Sequence, residues 1–234
     1  MNIISVNNIS FRYQQDNIFD NATLLLQKGT LGGVLGPNGS GKTTLFDMLC
    51  GLRHPAEGSI LNQAAQPLYL SQILSPPSSL QMADIHRLIC NLTTPTPPCG
   101  EQTFEKLKQW SPTISKRYVA LWKKKPATCS YGEIRAFFAL TLLTLPCDLL
   151  ILDEPTAGID PEFRYYIWLC LQQACSEGIS VLVSSHHIEE ITSHCDQFHL
   201  IHKRRFLPFN DAEGFMDYFN ATSLDEAFIN GAIQ

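Results

Sequence analysis

Along the chain, apolar residues gather first at 3–9 and again at 24–26, where the turn signal Gln27-Lys28-Gly29 follows, and this pattern predicts short strands of an antiparallel layer. The pattern then tightens. Residues 31–35 are apolar or glycine throughout and predict a buried strand, which feeds a glycine-rich turn and a helix from about 41 to 50 that Gly51 terminates. The stretch 73–98 is rich in Pro, Ser and Thr, and a more polar, helix-prone stretch at 101–125 follows it. That shift predicts an inserted helical lobe at about 73–128 within a single domain spanning 1–234. The apolar pattern resumes with a helix at 132–145, a strand at 149–152, a helix at 161–176 and strands at 180–184 and near 198–201. The last ~25 residues suggest short helices. Buried strands alternating with helices imply an α/β fold whose mainly parallel sheet is covered on both faces. No internal repeat is visible.

With 234 residues, 44% of them hydrophobic, the chain has the apolar content for a substantial core. Its most apolar run, 136–145, is half of the ~20 residues that a membrane-crossing helix needs, so the chain is not expected to form a membrane pathway itself. The formal charge of −5 argues against nucleic acid as a partner, because sequence-independent phosphate binding shows as a basic excess. Lys123, Lys124 and Lys125 read as a solvated face. The eight cysteines are scattered, without a CxxC pair or a secretory leader, and predict reduced thiols in a cytosolic protein, mostly as small core residues. His194, Cys195, His199 and His202 are of zinc-ligating types, but their spacing matches no zinc pattern.

The chemistry concentrates in two places. Gly36-Pro37-Asn38-Gly39-Ser40-Gly41-Lys42-Thr43 satisfies G-x-x-x-x-G-K-S/T, the phosphate-binding loop, between a predicted strand and a predicted helix. Backbone N–H groups and the positive helix end then converge on an anion, with Lys42 against the β- and γ-phosphates and the Thr43 hydroxyl toward Mg²⁺. Gly39 and Gly41 permit backbone conformations that a side chain would obstruct. Further on, 149–152 is an apolar strand that ends in Asp153 and Glu154, and a buried strand end tolerates acids only where a cation or a donor meets them. Asp153 is the expected Mg²⁺ partner, and Glu154 the group that polarises the attacking water.

Between these elements stands Cys129-Ser130-Tyr131-Gly132-Glu133, followed by Arg135, at the start of a strongly apolar helix. It resembles the signature of ABC-type ATPases, usually written LSGGQ. The wider order is similar too: Tyr13, the phosphate loop, Gln72 within Tyr69-Leu70-Ser71-Gln72, the signature, the two acids, Ala157-Gly158-Ile159-Asp160, then His186. The resemblance spans about 3–201 and implies a P-loop NTPase core with an N-terminal antiparallel β layer, an inserted α-helical lobe and a signature helix at 130–145. It further implies a head-to-tail dimer, with itself or a paralogous ATPase subunit, that sandwiches ATP and Mg²⁺. Tyr13 would stack on adenine, residues Gly36 to Thr44 would hold the nucleotide, and Thr43, Gln72 and Asp153 would meet the metal. Ser130 and Gly132 would donate to the γ-phosphate of the opposite site, and Asp160 would link the two sites. Lys42, Glu154 and His186 would carry the chemistry, His186 being chosen over His187 because it directly follows the strand and Ser184-Ser185. Read without the family, Tyr13 is also a plausible strand aromatic, Asp160 an N-cap before Pro161, and either histidine a helix opener.

Three departures accompany the resemblance. Cys129 and Tyr131 replace the usual leucine and first glycine of the signature, the interval from Lys42 to Gln72 is short, and a proline-rich run follows Gln72. Position 131 is expected to lie beside the phosphate contact, and the antiparallel layer to be trimmed. The expected function is the ATP-hydrolysing motor of an ABC transporter, cytoplasmic and peripheral on a membrane, acting on a separate transmembrane permease subunit. A tail at 223–228 similar to those of some exporter cassettes leans toward export. The rival is a soluble ABC-type ATPase acting on ribosomes or DNA, whose usual second cassette, charged linker or long coiled coil is missing here. A non-hydrolysing scaffold is opposed by the joint presence of Lys42, Asp153, Glu154 and His186.

Overall fold

The computed structural model describes residues 1–232. The chain opens with a long hairpin, β1 (Asn2–Tyr13) and β2 (Asp16–Gln27), then crosses to β3 (Leu31–Leu35) and enters α1 (Lys42–Leu49). Strands β4 (Glu57–Asn62) and β5 (Pro67–Leu70) follow. Three helices form the lobe: α2 (Met82–Thr93), α3 (Gly100–Trp110) and α4 (Pro112–Leu121). The remaining order is α5 (Tyr131–Leu143), β6 (Leu149–Asp153), α6 (Pro161–Ser176), β7 (Ser180–Ser185), α7 (Ile188–His194), β8 (Gln197–His202), β9 (Arg205–Phe209), α8 (Ala212–Tyr218) and α9 (Leu224–Ala232).

Two sheets result. The antiparallel layer has the order β2-β1-β4, and the larger sheet runs β5-β6-β7-β3-β8-β9, parallel except for the β8–β9 pair at its edge. Side chains on β6 alternate between two cores, as the two-residue period of a strand requires. Leu150 and Leu152 pack with α5 and α6, whereas Leu149 and Ile151 pack with α1 and the antiparallel layer. The central strands are buried on both faces, which explains their unbroken apolar runs. Because β3, β6 and β7 lie side by side in parallel, their C-terminal ends open together on one edge.

Several elements differ from the sequence expectation. The hairpin strands each run 12 residues, well beyond 3–9 and 24–26, because exposed polar residues such as Asn7 and Asn17 continue the ladder without an apolar signature. The antiparallel layer keeps three strands, with β4 supplying the third in six residues. Helix α2 lies inside the stretch rich in Pro, Ser and Thr, starting where the Gln81 N–H donates to Asp84 Oδ2 at 3.2 Å. The expected helix at 41–50 is α1, one residue shorter at each end, and that at 132–145 is α5, which starts one residue earlier and ends two earlier. Cysteines are less buried than expected: Cys90 and Cys170 are in the core, Cys99 is exposed and the other five are half-buried. Burial pushes the Cys170 thiol up to about 12, which leaves it an inert core residue. His194 stacks on Trp168, His199 is buried within β8, and His202 Nδ1 pairs with the Gly231 carbonyl at 2.6 Å. Among the described residues no helix is long and apolar enough to cross a membrane.

Candidate functional site

The open edge of the parallel sheet carries a cleft of about 410 Å³. Its floor is the loop between β3 and α1. Gly39 and Gly41 there have φ of 80° and 107°, and a Cβ on Gly41 would press into Ile18 and Phe19 of β2. Glycine at both positions is therefore a backbone requirement. Helix α1 begins at Lys42, so its free N–H groups face the cleft, and it stops in a Schellman turn. There the Gly51 N–H donates to Met48 O at 3.0 Å and the Leu52 N–H to Asp47 O at 2.8 Å.

Lys42 is buried, and its ammonium donates to Gly36 O at 2.7 Å and Pro37 O at 3.3 Å, standing 3.7 Å from Glu154 Oε1. Burial lowers its pKa, with Glu154 and Asp153 opposing that shift. An ammonium so placed gains a much stronger partner when a phosphate enters the loop.

Strand β6 delivers the two acids. Asp153 accepts the Thr43 hydroxyl on Oδ2 and the Ser184 hydroxyl on Oδ1, each at 2.5 Å. Thr43 Oγ1 and Asp153 Oδ2 form an oxygen pair suited to a hard cation such as Mg²⁺, and Gln72 lines the same cleft. Glu154 leaves the strand with φ of 55°, a conformation that costs a β-substituted residue roughly 1–2 kcal/mol. Its N–H donates to Ser184 Oγ at 3.0 Å, and its carbonyl accepts from Arg135 Nε. This turn sends the side chain inward, where Oε2 meets His186 Nδ1 at 2.8 Å. His187, whose ring centroid lies 4.2 Å from that of His186, instead stands at the N-cap position of α7 without a side-chain capping bond.

Tyr13 lines the mouth of the cleft, its hydroxyl 3.4 Å from Thr44 Oγ1 and its ring 5.0 Å from the Arg53 guanidinium. Pro37, Asn38 and Gly39 line the cleft as well, while Gly36 and Ser40 lie against each other beneath it. The remaining expected residues sit apart from the cleft. Ser130 caps α5, accepting from the Glu133 N–H at 3.1 Å, and its own hydroxyl proton stays available to donate outward. Gly132 lies against the backbone of Gly158, a contact any Cβ would block, so packing alone demands glycine there. Asp160 caps α6 through Phe163 N–H at 3.0 Å and also receives Arg117 Nη1 at 2.7 Å. Both of its oxygens are thus engaged within the chain.

Two residues named in the sequence make contacts that it did not predict. Tyr131, half exposed, donates its hydroxyl to Gln72 O at 3.1 Å and lays its ring on Gly158. Arg135, buried completely, joins the same carbonyl to that of Glu154. The apolar helix around Arg135 was the available signal, since a lone arginine in such a run needs buried acceptors.

A phosphate loop on a parallel sheet, with two acids at the end of the neighbouring strand, defines a phosphate-loop ATPase fold. The family model described as ABC transporter matches residues 19–157, more than half of the chain, and a second model, described as AAA domain, putative AbiEii toxin, type IV TA system, matches 125–192. The chain belongs to the ABC transporter family. It is 28% identical to Protein McbF of Escherichia coli over 228 residues, covering 94% of this chain and 91% of that one. It is 26% identical to the molybdate import ATP-binding protein MolC of Haemophilus influenzae over 230 residues, covering 94% and 87%. Among solved structures, an ATP binding subunit of an ABC transporter superposes with a TM-score of 0.80 at 20% identity, over 97% of this chain and 98% of that one. A dimeric bacterial ABC transporter cassette, MJ0796, superposes with a TM-score of 0.75 at 18% identity, over 88% and 98%. This chain is accordingly an ATP-binding, ATP-hydrolysing subunit of the ABC transporter type.

Proposed function

We propose that this cassette closes head to tail on ATP with a second copy or a related subunit, and that closing and reopening drive a separate membrane-spanning permease from the cytoplasmic face. The observation that carries this reading is the single cleft in which Lys42 and His186 hold Glu154 from two sides while Thr43 and Asp153 meet beside them. Tyr13 stacks on the adenine, the loop from Gly36 to Thr44 wraps the phosphates, and Lys42 leaves its carbonyl partners for the β- and γ-oxygens. Thr43 and Asp153, with Gln72 alongside, would hold Mg²⁺, which would supply positive charge against the phosphates. Glu154 accepts the proton of the water whose oxygen attacks the γ-phosphorus, and the bond to ADP breaks. His186 steadies Glu154 through Nδ1 and leaves its other ring nitrogen for the γ-phosphate. Ser130, whose hydroxyl proton is free to point outward, and the backbone at Gly132 complete the partner's site. Asp160 must exchange Arg117 for any contact across the interface. Cargo and direction follow the permease: the tail similar to exporter tails forms the start of α9, and a full-length relative is named for import.

Two variants test this. Lys42→Ala is expected to lose most ATP binding and turnover. Glu154→Gln is expected to keep binding, slow turnover by roughly 10²- to 10⁴-fold and accumulate an ATP-bound dimer in size-exclusion chromatography with light scattering. A fully active, strictly monomeric Glu154→Gln protein would remove both the base and the sandwich.

A further inference from the structure

Arg135 is a completely buried cation with no carboxylate within salt-bridge distance among the described residues. A charge taken out of water at such cost is retained only where its donors meet a fixed set of acceptors. Its backbone acceptors are the carbonyls of Glu154 and Gln72, which line the nucleotide cleft, and of Ser71 beside Gln72, and its one side-chain acceptor is the Tyr131 hydroxyl. Nε donates to Glu154 O, and Nη1 donates to Gln72 O at 2.8 Å and to the Tyr131 hydroxyl at 3.2 Å. Both Nη atoms also lie 3.5 Å from Ser71 O. The guanidinium is a rigid plane, so these acceptors cannot move independently of one another while it is bound.

The consequence falls on Glu154. Its left-handed backbone turn, at φ 55°, has its N–H held by Ser184 and its carbonyl by Arg135, and this turn aims the carboxylate at Lys42 and His186. The same plane holds the peptide oxygen of Gln72, a residue that lines the cleft together with Thr43 and Asp153. Arg135 itself stands on α5, one turn beyond Ser130. We propose that Arg135 is a positioning residue for hydrolysis, locking the catalytic glutamate and Gln72 in register with the signature helix, with the Tyr131 hydroxyl as its second clasp on Gln72. The proposal rests on Glu154 being the proton acceptor.

The test is Arg135→Lys, which keeps the charge but cannot reach Glu154 O and Gln72 O together. ATP affinity, set by the phosphate loop, is expected to stay within about 3-fold, while kcat falls about 30-fold. In a Glu154→Gln background the same substitution is expected to lower kcat by less than about 2-fold more, because the group it positions is already gone. Parental kcat in Arg135→Lys, an equal loss of binding and turnover, or full additivity with Glu154→Gln each overturns the proposal. If Glu154→Gln alone leaves kcat unchanged, it is the catalytic assignment that fails. Where Arg135→Lys loses its fold, Tyr131→Phe decides: it removes one hydroxyl from a half-exposed ring, is expected to lower kcat about 3-fold at unchanged KM, and contradicts the clasp if kcat is unchanged.

Discussion

Gly132 approaches the Gly158 carbonyl so closely that a Cβ would strike the backbone of Gly158 and Ile159. Gly132→Ala is therefore expected to destabilise the fold by about 1–3 kcal/mol, the scale of overpacking, and to cut turnover more than about 10-fold by displacing the segment that carries Asp160. Urea unfolding together with steady-state ATPase measures both, and parental values in each would show that the backbone yields freely. This constraint separates what could be read at single positions from what could not. The phosphate loop was legible because its logic is local: eight consecutive residues fix a strand-to-helix turn. Asp153 and Glu154 were legible because acids at an apolar strand end demand a reason. The roles of Tyr131 and Arg135 were not, since their acceptor at Gln72 lies 59 and 63 residues away and is a backbone oxygen, which no side-chain pattern encodes.

Helix α5 shows how an element can serve two purposes at its first turn. Ser130 and Glu133 form a reciprocal capping box, the Ser130 N–H donating to Glu133 Oε2 at 2.7 Å, and Lys124 adds a contact at 3.0 Å. Its bond from the Ser130 N–H holds the Glu133 carboxyl below the usual range, with Lys124 assisting. A depressed folded-state pKa means that this stabilisation is present above the unfolded pKa, near 4.5, and is lost as pH falls through the folded value. Glu133→Gln keeps the capping geometry but not the charge. Its deficit in melting temperature is thus expected at pH 6–7 and should shrink steadily below about pH 4.5, as thermal unfolding at several pH values would register. A deficit that is constant with pH would assign the effect to packing. Other elements evaded the sequence for physical reasons. Helix α2 is flanked by prolines, β5 has four residues and β9 contains Pro208, so each lacks the length or composition that periodicity needs.

Over the whole molecule, charge is divided unequally. Residues 73–128 hold eight Lys and Arg against three Asp and Glu, while the rest of the chain holds nine against nineteen. In the proposed head-to-tail dimer the basic lobe of one subunit, with exposed Lys123 and Lys125 just upstream of the signature, would face the acidic core of the other, made more negative by bound ATP. Two electrostatic terms then compete. Each subunit carries a formal charge of −5, so the monopoles repel; the lobe-to-core contact attracts. Repulsion between whole charges acts over long range and is largely screened beyond the ~10 Å Debye length at 0.1 M salt, leaving the apposed patches to dominate near contact. Raising salt from about 50 to about 500 mM at saturating ATP is therefore expected to weaken the ATP-bound dimer of Glu154→Gln by roughly 3- to 10-fold. Replacing Lys123 and Lys125 by Gln should flatten that dependence, with sedimentation velocity giving the dissociation constants. A dimer that tightens with salt would mean that net repulsion prevails and that the basic lobe does not face the partner's core.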